Sequence, residues 1–233
     1  MKRSRVAACE PLGPYVQVQL ERTFEPGEPG QFHMLRALAH DGFLARPLSA
    51  VVSDDSGVTF LCQPRGPALA AIARTGAEVE VLGPFGHGFD AGAAGPAPVL
   101  VGGGFGAALL APLAQRLPGA ELLAAFRDAD AARAAELVPS ARREIALPPA
   151  NVLDLLAERL AAASSVFAAG PDGLVRAVAA ACAAAQVPCQ VALEAPMACG
   201  YGACYGCAVR LGGELVRLCV EGPVVSGERV LAA

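Results

Sequence analysis

Lysine is almost missing from this chain of 233 residues: of 18 basic side chains, only Lys2 is a lysine. With the abundance of alanine, that scarcity reads as genome composition rather than function. Charge of either sign is also thin, at 17% of residues against 54% apolar, which excludes a disordered or solvated tail. The 18 basic residues face 22 acidic ones, a net charge of -4, and this argues against a nucleic-acid partner held through phosphate contacts. An uninterrupted apolar run is lacking too. Mean hydropathy is +0.45, and the charge-free stretch Ala91 to Gln115 exceeds the roughly 20 residues of a membrane span. Gly102, Gly103, Gly104 and Gly106 and several prolines interrupt it, so a buried strand, a glycine turn and a buried helix fit better than a lipid-exposed helix. The opening residues MKRSRVAACEP have a basic start but no apolar stretch before Glu10 and Pro11, so no secretory leader is expected. The expectation is a soluble, cytoplasmic protein without a membrane partner. No internal repeat is visible.

What is present divides into two textures. From residue 13 to about 90, short strands alternate with Gly and Pro turns. Tyr15–Leu20 and Ala77–Leu82 follow period two, and apolar runs lie at Phe32–Leu35, Leu48–Val52 and Val58–Cys62, a pattern that predicts an antiparallel barrel or sandwich. Residues Ala91 to Pro98 read as a linker. Beyond it, strands at Val99–Val101, Glu121–Phe126, Ser165–Ala169 and Cys189–Glu194 alternate with helices at Ala107–Leu117, Asn151–Ala162 and Gly173–Ala185. That alternation predicts a parallel sheet wrapped by helices. The segment from Pro196 onward is cysteine-rich and too small for a core of its own.

The chain has eight cysteines. Cys199, Cys204, Cys207 and Cys219 follow the spacing C-x4-C-x2-C-x11-C, with Gly200, Gly202 and Gly206 between them so that backbone can wrap closely around sulfur. The spacing is that of plant-type [2Fe–2S] sites, whereas structural zinc usually sits on paired knuckles; a zinc clip or four buried thiols remains the alternative. In a reducing compartment this set suits metal binding better than a disulfide framework. Cys9, Cys62, Cys182 and Cys189 have no such arrangement and read as small hydrophobes. His33, His40 and His87 have no ligand partners and are assigned no function; His87, between glycines, is expected to be exposed.

Val99 to Leu109 runs from a strand through Gly102, Gly103, Gly104 and Gly106 into a helix, and Gly170-Pro171 again stands at a strand end before a helix. Two such turns on one parallel sheet place a nucleotide crevice at its carboxyl edge. In the first region Arg46, Pro47, Leu48 and Ser49 open a strand, where an arginine and a hydroxyl beside a fixed proline can hold a flavin phosphate and ring edge; a surface arginine before an edge strand is the plainer alternative.

Taken in order, the RPxS element, the GGGxG turn, the Gly-Pro strand end and the four cysteines resemble one family: the electron-transfer subunits of NAD-dependent (class 1B) dihydroorotate dehydrogenase, within the ferredoxin reductase superfamily. The stretches Glu194-Ala-Pro-Met-Ala-Cys-Gly-Tyr-Gly-Ala-Cys-Tyr-Gly-Cys207 and Arg217-Leu-Cys-Val-Glu-Gly-Pro-Val224 carry most of the resemblance, which extends over nearly the whole chain. It implies an α+β multi-domain fold: an antiparallel β-barrel binding FAD (residues 1–92), an α/β parallel-sheet domain binding NAD (97–194), and a small C-terminal [2Fe–2S] domain (195–233). By resemblance FAD contacts Arg46, Pro47, Leu48 and Ser49, then Thr59, Phe60 and Leu61, then Gly66 and Pro67. NAD, the substrate, is implied at Gly102, Gly103, Gly104, Gly106, Gly170 and Pro171, and the cluster at Cys199, Cys204, Cys207 and Cys219. The implied partner is an FMN-containing catalytic subunit that oxidises dihydroorotate, two copies of each subunit making a heterotetramer that serves pyrimidine biosynthesis. Three departures stand out. Pro67 replaces a threonine and removes one phosphate hydrogen bond. Leu109 stands where the superfamily usually has proline and Ala169 where it usually has cysteine, at the nicotinamide site, so weakened NAD binding or a different ligand is expected there. A related NAD(P)H–ferredoxin oxidoreductase or sulfhydrogenase subunit is the nearest rival, and a zinc-clipped nucleotide-binding interaction protein is the rival of another class.

Overall fold

A computed structural model describes residues 1–39 and 44–232; His40 lies outside the described residues. The first half holds β1 (Lys2–Leu12), β2 (Tyr15–Leu20), β3 (Phe32–Ala37), β4 (Arg46–Leu48), β5 (Ala50–Asp54), β6 (Gly57–Cys62), a short α1 (Pro67–Ile72) and β7 (Glu78–Phe85). They form one seven-stranded antiparallel sheet in the order β4-β3-β7-β1-β2-β6-β5. The long β1 serves both halves of it. Lys2–Arg5 pair with β7, and from Val6 onward the strand pairs with β2, with an irregularity between Val6 and Ala8. The two edge strands, β4 and β5, are consecutive in the chain with Ser49 alone between them, so the sheet must curl until its edges meet at that residue. The expected Leu48–Val52 strand is thereby split in two. Phe60, Leu20, Val18, Leu35 and Val58, all fully buried, fill the inside.

The second half contains β8 (Pro98–Gly103), α2 (Gly106–Leu109), α3 (Ala111–Arg116), β9 (Glu121–Ala125), α4 (Ala129–Ala132), β10 (Arg142–Ala146), α5 (Val152–Leu160), β11 (Ser165–Ala169), α6 (Asp172–Ala184) and β12 (Cys189–Ala192). Every residue of β8 and β11 is buried, as befits central strands covered on both faces. The expected Ala107–Leu117 helix breaks at Leu110, because Pro112 has no N–H for the carbonyl of Ala108 and its ring crowds that turn. Asn151 caps α5 by accepting the Leu153 N–H at 3.0 Å. In α6, Val175, Val178, Ala179 and Cys182 form the buried stripe.

The last segment adds β13 (Ala208–Leu211) and β14 (Glu214–Arg217), which pair as a hairpin, then α7 (Leu218–Glu221), β15 (Val224–Ser226) and α8 (Gly227–Leu231). β15 returns to the second sheet and pairs antiparallel with β12, giving the order β10-β9-β8-β11-β12-β15. The sheet expected to be parallel is therefore mixed, with an antiparallel edge. No helix among the described residues is long and apolar enough to cross a membrane.

The halves share their cores. Leu12, Tyr15, Val51 and Leu61 of the first sheet pack in one cluster with Leu100, Ala107, Leu110 and Phe167 of the second. Phe32 and Met34 likewise join Cys207, Cys219, Leu193 and Val191.

Candidate functional site

Ser49 and Pro47 face a cavity of about 160 Å³ where all three parts of the chain meet. Leu109, Ala169 and Gly170 line it from the second half, and Leu193, Ala195, Met197 and Pro223 from the approach to the cysteine segment. Its walls are mostly apolar and its size suits a planar ring rather than a whole dinucleotide. The two departures at Leu109 and Ala169 thus stand in this cavity. Glu194 sits at its rim, exposed on the outside, with partial desolvation raising its carboxyl above the ordinary range. Phe32, Phe89, Leu193 and Met197 went unseen in the sequence as lining residues. They are ordinary apolar residues, gathered here only by tertiary packing.

The other residues of the RPxS element behave differently. Leu48 is buried in the barrel core, and Arg46 donates to the carbonyls of Leu44 and Ala45 at 3.0 and 3.3 Å. Thr59, Phe60 and Leu61 do not line the cavity. Phe60 and Leu61 are fully buried in the core, and Thr59 pairs with Gln19 and Val52 in the sheet. Gly66, at φ 80°, precedes α1 with Pro67 at the first helical position, where its missing N–H costs nothing. A side chain at Gly66 would meet no atom within 4 Å, so the turn is open to a ligand.

The glycine turn has a tighter logic. A Cβ on Gly102 would stand 2.5 Å from Ala107, one on Gly103 2.4 Å from Leu174, and one on Gly106 2.5 Å from the backbone of Gly170. Gly170, at φ 151°, packs in turn on Gly103, and Pro171 caps α6. These glycines let the β8–α2 and β11–α6 turns interlock. Gly104, at φ 51°, alone leaves open space, its nearest neighbour being the Tyr15 hydroxyl at 3.9 Å from a notional Cβ. A larger cavity of about 540 Å³ lies at the amino ends of β11 and β12, beside Cys189, Gln186 and Glu228, and holds none of the candidate residues.

The four cysteines fall close enough to perturb one another: the Cys199 thiol is influenced by that of Cys204, and the Cys219 thiol by Cys207 and, more weakly, by Cys199. Among the described residues, no three ligating side chains meet at one point. Burial alone would raise the Cys199 thiol, but the backbone N–H groups of Tyr201, Cys204 and Ala203 and the Cys204 thiol outweigh it and bring the thiol down to about 6. Burial pushes Cys219 up to about 12, with the Cys207 sulfur beside it adding to the rise. The Gly206 N–H donates to the Cys204 sulfur at 3.4 Å. N–H groups aimed at sulfur stabilise thiolate, the form that binds metal. Cys207 and Cys219 are buried, Cys204 is exposed, and Tyr201 and Tyr205 beside it are 62% and 55% exposed. A side chain on Gly200 would run into Met34 at 2.4 Å, so the loop lies directly on β3.

Comparison with known proteins bears on this arrangement. Residues 194–231 match the model of the iron-sulfur cluster binding domain of dihydroorotate dehydrogenase B. The chain is 32% identical over 228 residues to the electron transfer subunit of dihydroorotate dehydrogenase B (NAD(+)) of Caldanaerobacter subterraneus subsp. tengcongensis, covering 91% of this chain and 92% of that one. The subunit of the same name from Bacillus caldolyticus is 32% identical over 229 residues, covering 89% and 88%. Among solved structures, an NADH-dependent reduced ferredoxin-NADP oxidoreductase superposes with a TM-score of 0.81 over 98% of this chain and 90% of that one, at 20% identity. At that identity the likeness speaks for the fold alone, which is ferredoxin-reductase-like.

Proposed function

The chain belongs to the family of electron-transfer subunits of NAD-dependent dihydroorotate dehydrogenase B, and on that premise we propose that it carries electrons between an FMN-containing catalytic subunit and NAD⁺ through a [2Fe–2S] cluster and FAD, in pyrimidine biosynthesis. The observation that carries this reading is that Cys199, Cys204, Cys207 and Cys219 all fall within residues 194–231, which match the iron-sulfur cluster binding domain, on a loop that lies against β3.

The residues divide the work in space. Cys199, Cys204, Cys207 and Cys219 hold the cluster, with backbone N–H groups facing the sulfur of Cys199. Pro47 and Ser49 hold the edge of the flavin ring, Arg46 stands ready for its phosphates, and the open turn at Gly66 and Pro67 takes the remainder. Thr59, Phe60 and Leu61 support this seat as the sheet behind it. Gly104 offers backbone to the nicotinamide nucleotide, while Gly102, Gly103, Gly106, Gly170 and Pro171 keep the two turns close enough to form one crevice. Leu109 and Ala169 shape the pocket where the nicotinamide enters, and they weaken NAD binding. Bound in these places, the cluster and FAD supply the exchange between single electrons and a two-electron hydride. The apolar walls of the cavity keep water from the ring.

In this reading residues 1–92 are the FAD-binding barrel, 97–194 the NAD-binding domain and 195–233 the cluster domain, whose final strand and helix cover the edge of the middle one. The catalytic subunit docks where Cys204, Tyr201 and Tyr205 are exposed, as one of two copies in a heterotetramer. The visible spectrum of the anaerobically purified chain tests the cofactors: flavin and iron–sulfur absorbance are expected, and a colourless protein containing zinc would overturn the reading. Recovery of an FMN-containing dihydroorotate dehydrogenase in a pull-down tests the partner. Rapid reduction of bound FAD by NADH in a stopped-flow mixer would remove the argument for a weakened nicotinamide site.

A further inference from the structure

Arg217 ends β14, two residues before Cys219, and its side chain is only 28% exposed. Its guanidinium makes three contacts on three different stretches of the cysteine segment. Nη1 donates to the Gly202 carbonyl at 3.2 Å, between Cys199 and Cys204. The central carbon lies 5.2 Å from the ring centre of Tyr205, between Cys204 and Cys207. Nη2 donates to Glu221 at 3.0 Å, beyond Cys219, and the other Glu221 oxygen accepts the backbone N–H of Arg217 at 2.7 Å. The sequence is fitted to this side chain. A Cβ on Gly202, at φ 90°, would stand 3.3 Å from Arg217 Nη1 and 2.7 Å from Val220, so only glycine allows the approach. Tyr205 holds a left-handed backbone, φ 57°, unusual for a residue with a side chain, in the conformation that lays its ring under the guanidinium.

We propose that Arg217 is the positioning residue of this loop: it ties together the stretches between the cysteines and sets a fixed positive charge beside them, which makes the bound cluster easier to reduce. The proposal rests on the reading of the four cysteines as a [2Fe–2S] site. Reduction adds one negative charge to a cluster already surrounded by thiolates, and a guanidinium two residues before Cys219, bonded to the Gly202 carbonyl and lying over the Tyr205 ring, favours that added charge. Glu221, more exposed at 39%, offsets part of the effect. A planar fork that reaches carbonyl, ring and carboxylate together is a role lysine cannot fill.

The test is a potentiometric titration of the full chain, reconstituted anaerobically with iron and sulfide and followed by electron paramagnetic resonance of the reduced cluster. Chelator-driven cluster loss is timed in parallel. Arg217→Gln is expected to shift the one-electron equilibrium about tenfold towards the oxidised cluster, about 59 mV lower, and to speed cluster loss. Arg217→Lys is expected to keep the potential yet lose the cluster faster. If Arg217→Gln takes up no cluster, Glu221→Gln decides: a raised potential supports the proposal and an unchanged one overturns it. Parent potential and parent cluster lifetime in Arg217→Gln overturn the proposal alone. A parent chain without a [2Fe–2S] spectrum overturns the reading of the site, and the proposal with it.

Discussion

Gly106 shows how little room the interlocked turns leave. A methyl group there would press on the backbone of Gly170, which has no flexible end to move aside. Gly106→Ala is therefore expected to cost about 1–3 kcal/mol and to weaken NADH binding, read as a lower melting temperature and a higher Kd. Gly104→Ala meets nothing closer than the Tyr15 hydroxyl at 3.9 Å, so its cost is confined to the left-handed backbone, roughly 1–2 kcal/mol. His33 makes a second case. It is fully buried, Nε2–H donates to the Glu25 carbonyl at 2.8 Å, and Nδ1 has no partner among the described residues. Burial holds its pKa below the ordinary value. The unfolded chain thus takes up a proton near pH 6.5 that the folded chain refuses, so stability present above that pH is lost as pH falls below it. Denaturant titrations between pH 7 and 5 should show this slope, and His33→Leu should flatten it.

At the scale of elements, what could be read in the sequence follows how local the determining interaction is. β11 is bounded to the residue, Ser165–Ala169, because a short apolar run ends at a glycine and a proline. The cysteine spacing was equally plain. β1 was not, since Lys2, Arg3, Arg5 and Glu10 mask its alternation and its partners β2 and β7 lie on either side of a bend. β10 and β15 also went unread. β15 is three residues long and owes its form to pairing with β12, more than 30 positions earlier. The cavity at Ser49 was half legible: the motif named Pro47 and Ser49, but only packing brings Phe32, Leu193 and Met197 to them. A chain ending at Pro223 lacks β15 and α8, uncovers the edge of β12 and strips α6 of its neighbour. It should melt at lower temperature and aggregate more readily, measured by thermal scanning with light scattering.

For the whole molecule, the shared cores matter more than the ion pair between the halves. Arg116 meets Glu28 across that boundary, but the two side chains are 47% and 59% exposed. Arg116→Ala should change stability by less than about 1 kcal/mol. The packing of Tyr15, Val51 and Leu61 on Leu100 and Leu110 joins both sheets in one cooperative unit, so calorimetry and near-UV dichroism should report a single, coincident transition. The first sheet is nevertheless a ring with a join. Its two edge strands meet at Ser49, the same residue that faces the cavity, so whatever fills that cavity bridges the join. The chain stripped of cofactor should open there first. Its amide protons from Arg46 to Asp54 should exchange with solvent fastest of the first sheet, and added FAD should slow them selectively, as a clasp closes a bracelet.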